Sequence, residues 1–166
     1  MARTLTHSIT YPMPIGRAWA QIADVRYQEG KLLAAGAANP VVTIRSQSDG
    51  ATQIVLERDN PVVGVPAAVR KIVGDTAHVI ETVNWSAPRP EDGRRTADLV
   101  TEFVGTPISM EGTFELLASG QATSLTLNAE YRSHVPLVGG KLEETAMAET
   151  VKALESEQEY SAGYGG

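Results

Sequence analysis

Lys141 to Gln158 reads KLEETAMAETVKALESEQ. It contains no proline and no glycine, and Ala, Leu, Glu, Lys and Met are strong helix formers. With Pro136 at its start, where a missing N–H costs nothing, the spacing predicts one long helix over 136–160. Twenty-odd residues at about 1.5 Å each make a rod of roughly 30–36 Å. Val138, Leu142, Ala146, Met147, Val151, Ala153 and Leu154 fill a broad apolar arc on the wheel. Lys141, Glu144, Lys152, Glu155 and Glu159 fill the other side. Two features disturb the arc: Glu143 and Glu157 fall within it, and Ala146 and Ala153 are small. A helix that covers a sheet with small side chains leaves room beneath itself.

What precedes the helix reads as strands. Thr4–Tyr11 alternates, with Leu5, His7, Ile9 and Tyr11 on one side and threonine or serine on the other. Pro12 and Pro14 close it. Ile15–Ala23 has a helical stripe of Ile15, Ala18, Trp19 and Ile22, and Asp24 suits the N-cap of a second short helix, Val25–Leu33. Val41–Ser46 and Thr52–Arg58 flank the turn Ser48-Asp49-Gly50. Asn60–Val73, with Pro61, Gly64 and Pro66, reads as a loop holding at most one helical turn. Thr76–Trp85 and Thr96–Val104 are further strands. The cleanest alternation follows: Ile108, Met110, Gly112, Phe114, Leu116 and Ala118 share one face. After Ser119-Gly120, so do Thr123, Leu125, Leu127, Ala129 and Tyr131. One face is apolar and the other polar, as in an antiparallel meander. The order predicts an α+β fold: a curved antiparallel sheet of six or seven strands wrapped around the long C-terminal helix, with two short helices after the first strand. It forms one domain over residues 1–161, with a flexible tail at 162–166.

This arrangement resembles the helix-grip fold of the START-like, or SRPBCC, superfamily, which holds Bet v 1-like and polyketide-cyclase-like proteins. Within it, the chain is most similar to the DUF2505 family. The residues that carry the resemblance are Pro14 with Trp19, Asp24-Val25-Arg26-Tyr27, Val65-Pro66 before Val69-Arg70, and the stretch from Val135 to Glu143, VPLVGGKLE. The resemblance implies a cavity between sheet and helix for an apolar or amphipathic ligand. It implies no activity, since fold alone does not carry one.

The bulk properties exclude several classes. There are 166 residues, enough for one core. Lys and Arg number 14 against 20 Asp and Glu, a net charge of −6, and no basic stripe suits nucleic acid. Cysteine is absent, so no disulfide or thiolate metal site is expected. Three histidines without metal-ligand spacing give no metal site, and no cofactor is expected. The stretch MARTLTHSITY has no apolar leader segment, and no apolar run approaches the ~20 residues of a membrane span. The expectation is a cytoplasmic protein; a homodimer is compatible with these features.

Period-2 reading places His7 and Glu81 on otherwise apolar faces, where a buried ionisable group costs several kcal/mol unless paired and where shifted pKa values mark sites. Two alternatives stand beside this: Thr76–Trp85 in the opposite register, with Ile80 inward, or His7 at the sheet rim. No nucleophile elbow or phosphate loop occurs, so no catalytic residue is assigned beyond Glu81 and His7 as acid/base candidates. The expected cavity wall is His7, Ile9, Tyr11, Val79, Glu81, Val83, Trp85, Leu99, Phe103, Met110, Phe114, Leu125, Leu127, Tyr131, Leu142, Ala146, Met147 and Val151. Three functions compete. The first is a binder of a small apolar molecule (a lipid, polyketide or isoprenoid-like compound), which we rank highest. The others are a cavity-free protein-interaction domain and a cyclase-like enzyme using Glu81 and His7.

Overall fold

The computed structural model describes residues 2–164. Seven strands form one antiparallel sheet: β1 (Ala2–Tyr11), β2 (Ala38–Ser46), β3 (Thr52–Pro61), β4 (Thr76–Trp85), β5 (Arg95–Phe103), β6 (Ile108–Ser119) and β7 (Ala122–Ser133). Their spatial order is β1-β7-β6-β5-β4-β3-β2. The chain therefore runs as a meander from β2 to β7 and closes by laying β7 against β1. Helices α1 (Ile15–Ile22) and α2 (Val25–Ala34) carry it from one sheet edge to the other. Helix α3 (Ala67–Val73) interrupts the β3–β4 connection, and α4 (Gly139–Gly163) crosses the concave face.

Local chemistry sets the boundaries. Pro12 and Pro14 end β1, and the Pro14 carbonyl accepts from the Arg17 and Ala18 N–H groups to start α1. The Asp24 carboxylate caps α2 by accepting from the Arg26 N–H at 2.9 Å. Asp49 does the same for Ala51 in the β2–β3 hairpin. The segment Asn60–Val73, expected to be mainly loop, instead gives Asn60 and Pro61 to β3 and holds the seven-residue helix α3. Burial of Val69 against Ile108 and Leu142 supplies what the β-branched composition of α3 lacks in propensity.

Paired residues across the ladders share a face, so the concave side is fixed row by row. One row runs Leu56, Glu81, Thr101, Met110, Tyr131, Arg3. Leu125 and Phe114 are buried on this side. Gly112 belongs to it as well: a Cβ there would lie 2.4 Å from the Asn128 carbonyl oxygen and 3.0 Å from Ala129 Cα. Backbone approaches backbone there, and only glycine fits.

Helix α4 lies along β1 and β7 and against α2. Its first turn begins at Gly139, three residues later than expected, because Pro136–Val138 form a tight turn with Leu137 at φ 69°. The two carboxylates that spoil its apolar arc are both buried. Glu143, 0% exposed, accepts from the Ser133 N–H at 3.0 Å and stands 3.6 Å from Arg3 Nε. Glu157, 6% exposed, accepts from the Tyr11 hydroxyl at 2.7 Å and the Tyr27 hydroxyl at 3.0 Å, with Lys31 Nζ at 3.5 Å.

Of the tail expected at 162–166, residues 162 to 164 are described. Helix α4 continues to Gly163, Ser161 Oγ donates to Gln21 Oε1 at 2.9 Å, and the Tyr164 hydroxyl donates to Asp24. Tyr27, Tyr160 and Tyr164 pack ring against ring. Residues 165–166 of the expected tail lie outside the described residues. Gly30 of α2 makes room for this cluster, since a Cβ there would sit 1.9 Å from the Tyr160 hydroxyl oxygen. No helix among the described residues is long and apolar enough to cross a membrane.

The glycines give a direct check. Gly112→Ala should destabilise by about 1–3 kcal/mol through overpacking against backbone. Gly16→Ala on exposed α1, with nothing within 4 Å of the added carbon, should be neutral or stabilising by up to about 1 kcal/mol. Urea denaturation of both variants measures the contrast; equal effects would contradict the close approach at Gly112.

Candidate functional site

Between the concave face, α2 and α4 lies a cavity of about 430 Å³. Its floor is the inward rows of β3 to β7, including Ile54, Val79, Leu99, Phe114 and Leu127. Ala146, Thr150, Ala153 and Leu154 of α4 form the roof, and Gln28, Lys31 and Leu32 of α2 the side wall. A smaller hollow of about 100 Å³ sits under α3 and shares Val63, Val79, Phe103 and Ala146 with the large one. At the far end Trp85 stacks on Phe114, with centroids 5.8 Å apart and an interplanar angle of 9°, and meets Trp19 edge-on. The Arg95 guanidinium lies 3.7 Å from the centre of the Trp19 ring and donates to the Gly50 and Ser86 carbonyls. Burial lowers its pKa from the ordinary value. That end is closed.

Of the residues expected on the wall, the structure brings together Tyr11, Val79, Glu81, Val83, Trp85, Leu99, Phe103, Met110, Phe114, Leu125, Leu127 and Ala146. Leu142 lines the smaller hollow instead. His7, Ile9, Tyr131, Met147 and Val151 are not on the lining. Helix α4 rests on β1 and β7, so part of their inward face meets the helix, while Tyr11, Leu125 and Leu127 still reach the open space. The Tyr131 hydroxyl donates to Thr150 Oγ1 at 2.6 Å, and burial, foremost, pushes its pKa up to about 12. His7 is half-buried opposite Leu127 on β1. Three strands separate β1 from β4, so His7 and Glu81 stand four strand spacings apart, roughly 19 Å along the sheet. They do not form an acid/base pair.

Glu81 does point inward, in the register that also buries Val79, Val83 and Trp85. It is paired: Arg58 Nη1 lies 2.9 Å from its Oε1, and both side chains are largely buried. Arg58 was legible in the sequence, two residues beyond Leu56 in the alternation of Thr52, Ile54 and Leu56, but Thr52–Arg58 ended there as a strand. Lys31, Gln28, Thr101 and Glu157 also line the cavity; the helical spacing of Gln28 and Lys31, the inward alternation of Thr101 and the misplaced charge of Glu157 were their only signals. Burial first, then the Glu157 carboxylate, raises the pKa of Tyr11 and of Tyr27 well above 10. Both phenols therefore stay protonated and act as donors.

The remaining histidines lie outside the cavity. His134 is exposed after β7. His78 faces outward on β4, with Nδ1 2.7 Å from Asp59 Oδ1 and Nε2 2.7 Å from Glu57 Oε1. Among the described residues no cluster of His, Cys, Asp and Glu has the makings of a metal site.

A curved seven-stranded antiparallel sheet gripping a long C-terminal helix is the helix-grip fold of START-like proteins, and solved structures share it over nearly the whole chain. TTHA0849 from Thermus thermophilus is 15% identical with a TM-score of 0.64, over 99% of this chain and 100% of that one. A START superfamily protein from Mycobacterium smegmatis is 14% identical with a TM-score of 0.55, over 96% of each. Norcoclaurine synthase from Thalictrum flavum, solved with dopamine and hydroxybenzaldehyde, is 9% identical with a TM-score of 0.55, over 100% of this chain and 90% of that one. At these identities the likeness is one of fold. Residues 6–164 match DUF2505, described as a protein of unknown function, and the chain belongs to that family. No curated protein matches the sequence.

Two measurements check the charges. Glu81→Leu should cost roughly 2–4 kcal/mol by stranding the Arg58 guanidinium, and adding Arg58→Met should restore most of it. A double-mutant cycle by denaturation reads the coupling, and additive losses would contradict the pair. His78, whose pKa Asp59 foremost and Glu57 next raise above 6.5, binds its proton more tightly folded than unfolded. Its contribution to stability is thus complete below 6.5 and fades as pH rises through the folded value. Asp59 runs the other way. Held below 3.8 by His78 first and Asn39 next, it contributes above 3.8 and loses that as pH falls through its folded value. The His78 imidazole should titrate by NMR with a midpoint above 6.5, and Asp59→Asn should bring it down; a wild-type midpoint at or below 6.5 would contradict the cluster.

Proposed function

We propose that this protein binds a small hydrophobic or amphipathic molecule in the hollow between the sheet and α4. The observation that carries the reading is the cavity itself. About 430 Å³ stays open beneath the longest helix, within the range of ligand sites. Protein interiors are otherwise packed like organic crystals. The floor is aliphatic and aromatic, with a few polar groups set among them, which is the usual make-up of such a site. A protein of the same fold has been solved holding dopamine and hydroxybenzaldehyde, which supports by analogy the use of this hollow for small organic molecules. A lipid, a polyketide or an isoprenoid-like compound suits the wall. The cavity-free alternative does not suit this interior, and the enzyme alternative loses the His7–Glu81 pair on which it rested.

The test uses N-phenyl-1-naphthylamine, a neutral apolar fluorophore, together with native mass spectrometry of protein purified from cells. The dye should bind with enhanced fluorescence and raise the melting temperature by linkage. Ala146→Phe, which fills the roof, should abolish both effects while the protein stays folded by circular dichroism. Absence of dye binding to the wild type, together with no co-purifying mass, would sink the proposal.

A further inference from the structure

Resting on that reading, we infer that the ligand is an uncharged molecule bearing one or more hydroxyl groups, and that Thr101 and Gln28 are the groups of the hollow that receive them. Two observations lead there. The first is a balance of charge. The charged residues on the cavity lining are Lys31, Arg58 and Lys152 against Glu81, Glu149 and Glu157. The two buried cations are already matched: Arg58 with Glu81 at 2.9 Å and Lys31 with Glu157 at 3.5 Å; Lys152 and Glu149 pair at 3.2 Å on the exposed side of α4. Glu157 carries two tyrosine donors besides. A carboxylate or phosphate buried in this hollow would have to take Arg58 or Lys31 from its partner and leave Glu81 or Glu157 unpaired, which is costly away from water. A ligand cation would strand a lysine or arginine in the same way.

The second observation is a pair of orphaned polar atoms. Thr101 Oγ1 and Gln28 Oε1 are buried and have no hydrogen-bond partner among the described residues. Both residues line the cavity, and each is only 3% exposed. Thr101 sits on the floor, level with Glu81 and Met110. Gln28 sits on the α2 wall, where its Nε2 is spent on the Ile22 carbonyl at 2.7 Å and its Oε1 is left over. Buried polar atoms without partners are rare in folded proteins and each calls for an explanation. An amide oxygen can only accept, so the group that satisfies Gln28 must donate. A threonine hydroxyl donates or accepts. A hydroxyl meets either demand and brings no charge. An ether, a ketone or an ester cannot satisfy Gln28, and a carboxylate fails on charge.

The test compares three probes of one chain length: dodecan-1-ol, 1-methoxydodecane and dodecanoate. Each displaces N-phenyl-1-naphthylamine from the wild-type protein at pH 8, below the micelle concentration of the acid. The alcohol should compete about tenfold more strongly than the carboxylate and roughly three- to tenfold more strongly than the ether, the scale of one net hydrogen bond. Thr101→Val removes the hydroxyl at nearly constant shape. It should bring the alcohol down towards the ether, each probe being compared against the variant's own dye affinity. It should leave the melting temperature unchanged or raised, because an unsatisfied buried hydroxyl stabilises nothing. Gln28→Met should narrow the same ratio; Thr101→Val decides the matter if that variant folds poorly. Dodecanoate binding as tightly as the alcohol, or an alcohol-to-ether ratio unmoved in Thr101→Val, would overturn the inference while leaving the cavity reading intact. Failure of the dye to bind the wild type would remove the cavity reading and this one with it.

Discussion

Two buried carboxylates hold α4 over the sheet, and the rest of the structure depends on them. Glu143 ties the first turns to the end of β7 and to Arg3. Glu157 ties the last turns to β1 and α2 through Tyr11, Tyr27 and Lys31. Fourteen positions separate them, close to four turns, so both project from one face about 21 Å apart. Glu157 accepts two charge-assisted hydrogen bonds and Glu143 one, with the Arg3 charge nearby; such bonds are stronger than neutral ones and strict about geometry. The helix is thus fixed near both ends as a beam is. Between the fixings its underside carries Ala146, Thr150 and Ala153, all of which line the cavity.

That arrangement explains the weak amphipathicity of α4. A helix held by apolar bulk would need large side chains in the middle of its buried face, and they would fill the hollow. Anchoring by carboxylates lets the span stay thin. The surrounding side chains forgo dispersion contacts across the gap, which is the cost of keeping the hollow open. The sheet supplies the complementary half: Gly112 allows two backbones to approach closely, and the Trp85–Phe114 stack seals one end.

The frame was legible in the sequence where alternation was strict. In β6 and β7 nearly every second residue is apolar, and the concave face follows at once. In β4, Val79, Val83 and Trp85 carried Glu81 inward with them. The same rule applied two residues further along β3 finds Arg58, but a charged residue reads as the end of a strand, and its partner lay on another element. His7 shows the opposite limit. Its face was legible, yet whether that face meets open space or a helix depends on where α4 crosses, which no local pattern encodes. Glu143 and Glu157 were visible as flaws in the apolar arc. Their partners come from β1, α2 and the end of β7, so their role is tertiary. The contacts of Ser161 and Tyr164 are tertiary too, since their partners Gln21, Tyr27 and Asp24 lie on α1, α2 and the turn between them.

Frame and lining are largely separate sets of residues. The helix is held by Glu143, Ser133, Arg3, Glu157, Tyr11, Tyr27 and Lys31, of which Tyr11, Glu157 and Lys31 touch the cavity. The middle of the cavity floor is instead Glu81, Thr101 and Arg58, on strands whose ladders would persist if those side chains changed. A chemistry of the hollow can therefore alter without refolding the chain. Proteins 9–15% identical to this one can accordingly keep the same grip, because the grip asks for a curved sheet and a tethered helix and leaves the contents of the space to a handful of inward-facing positions.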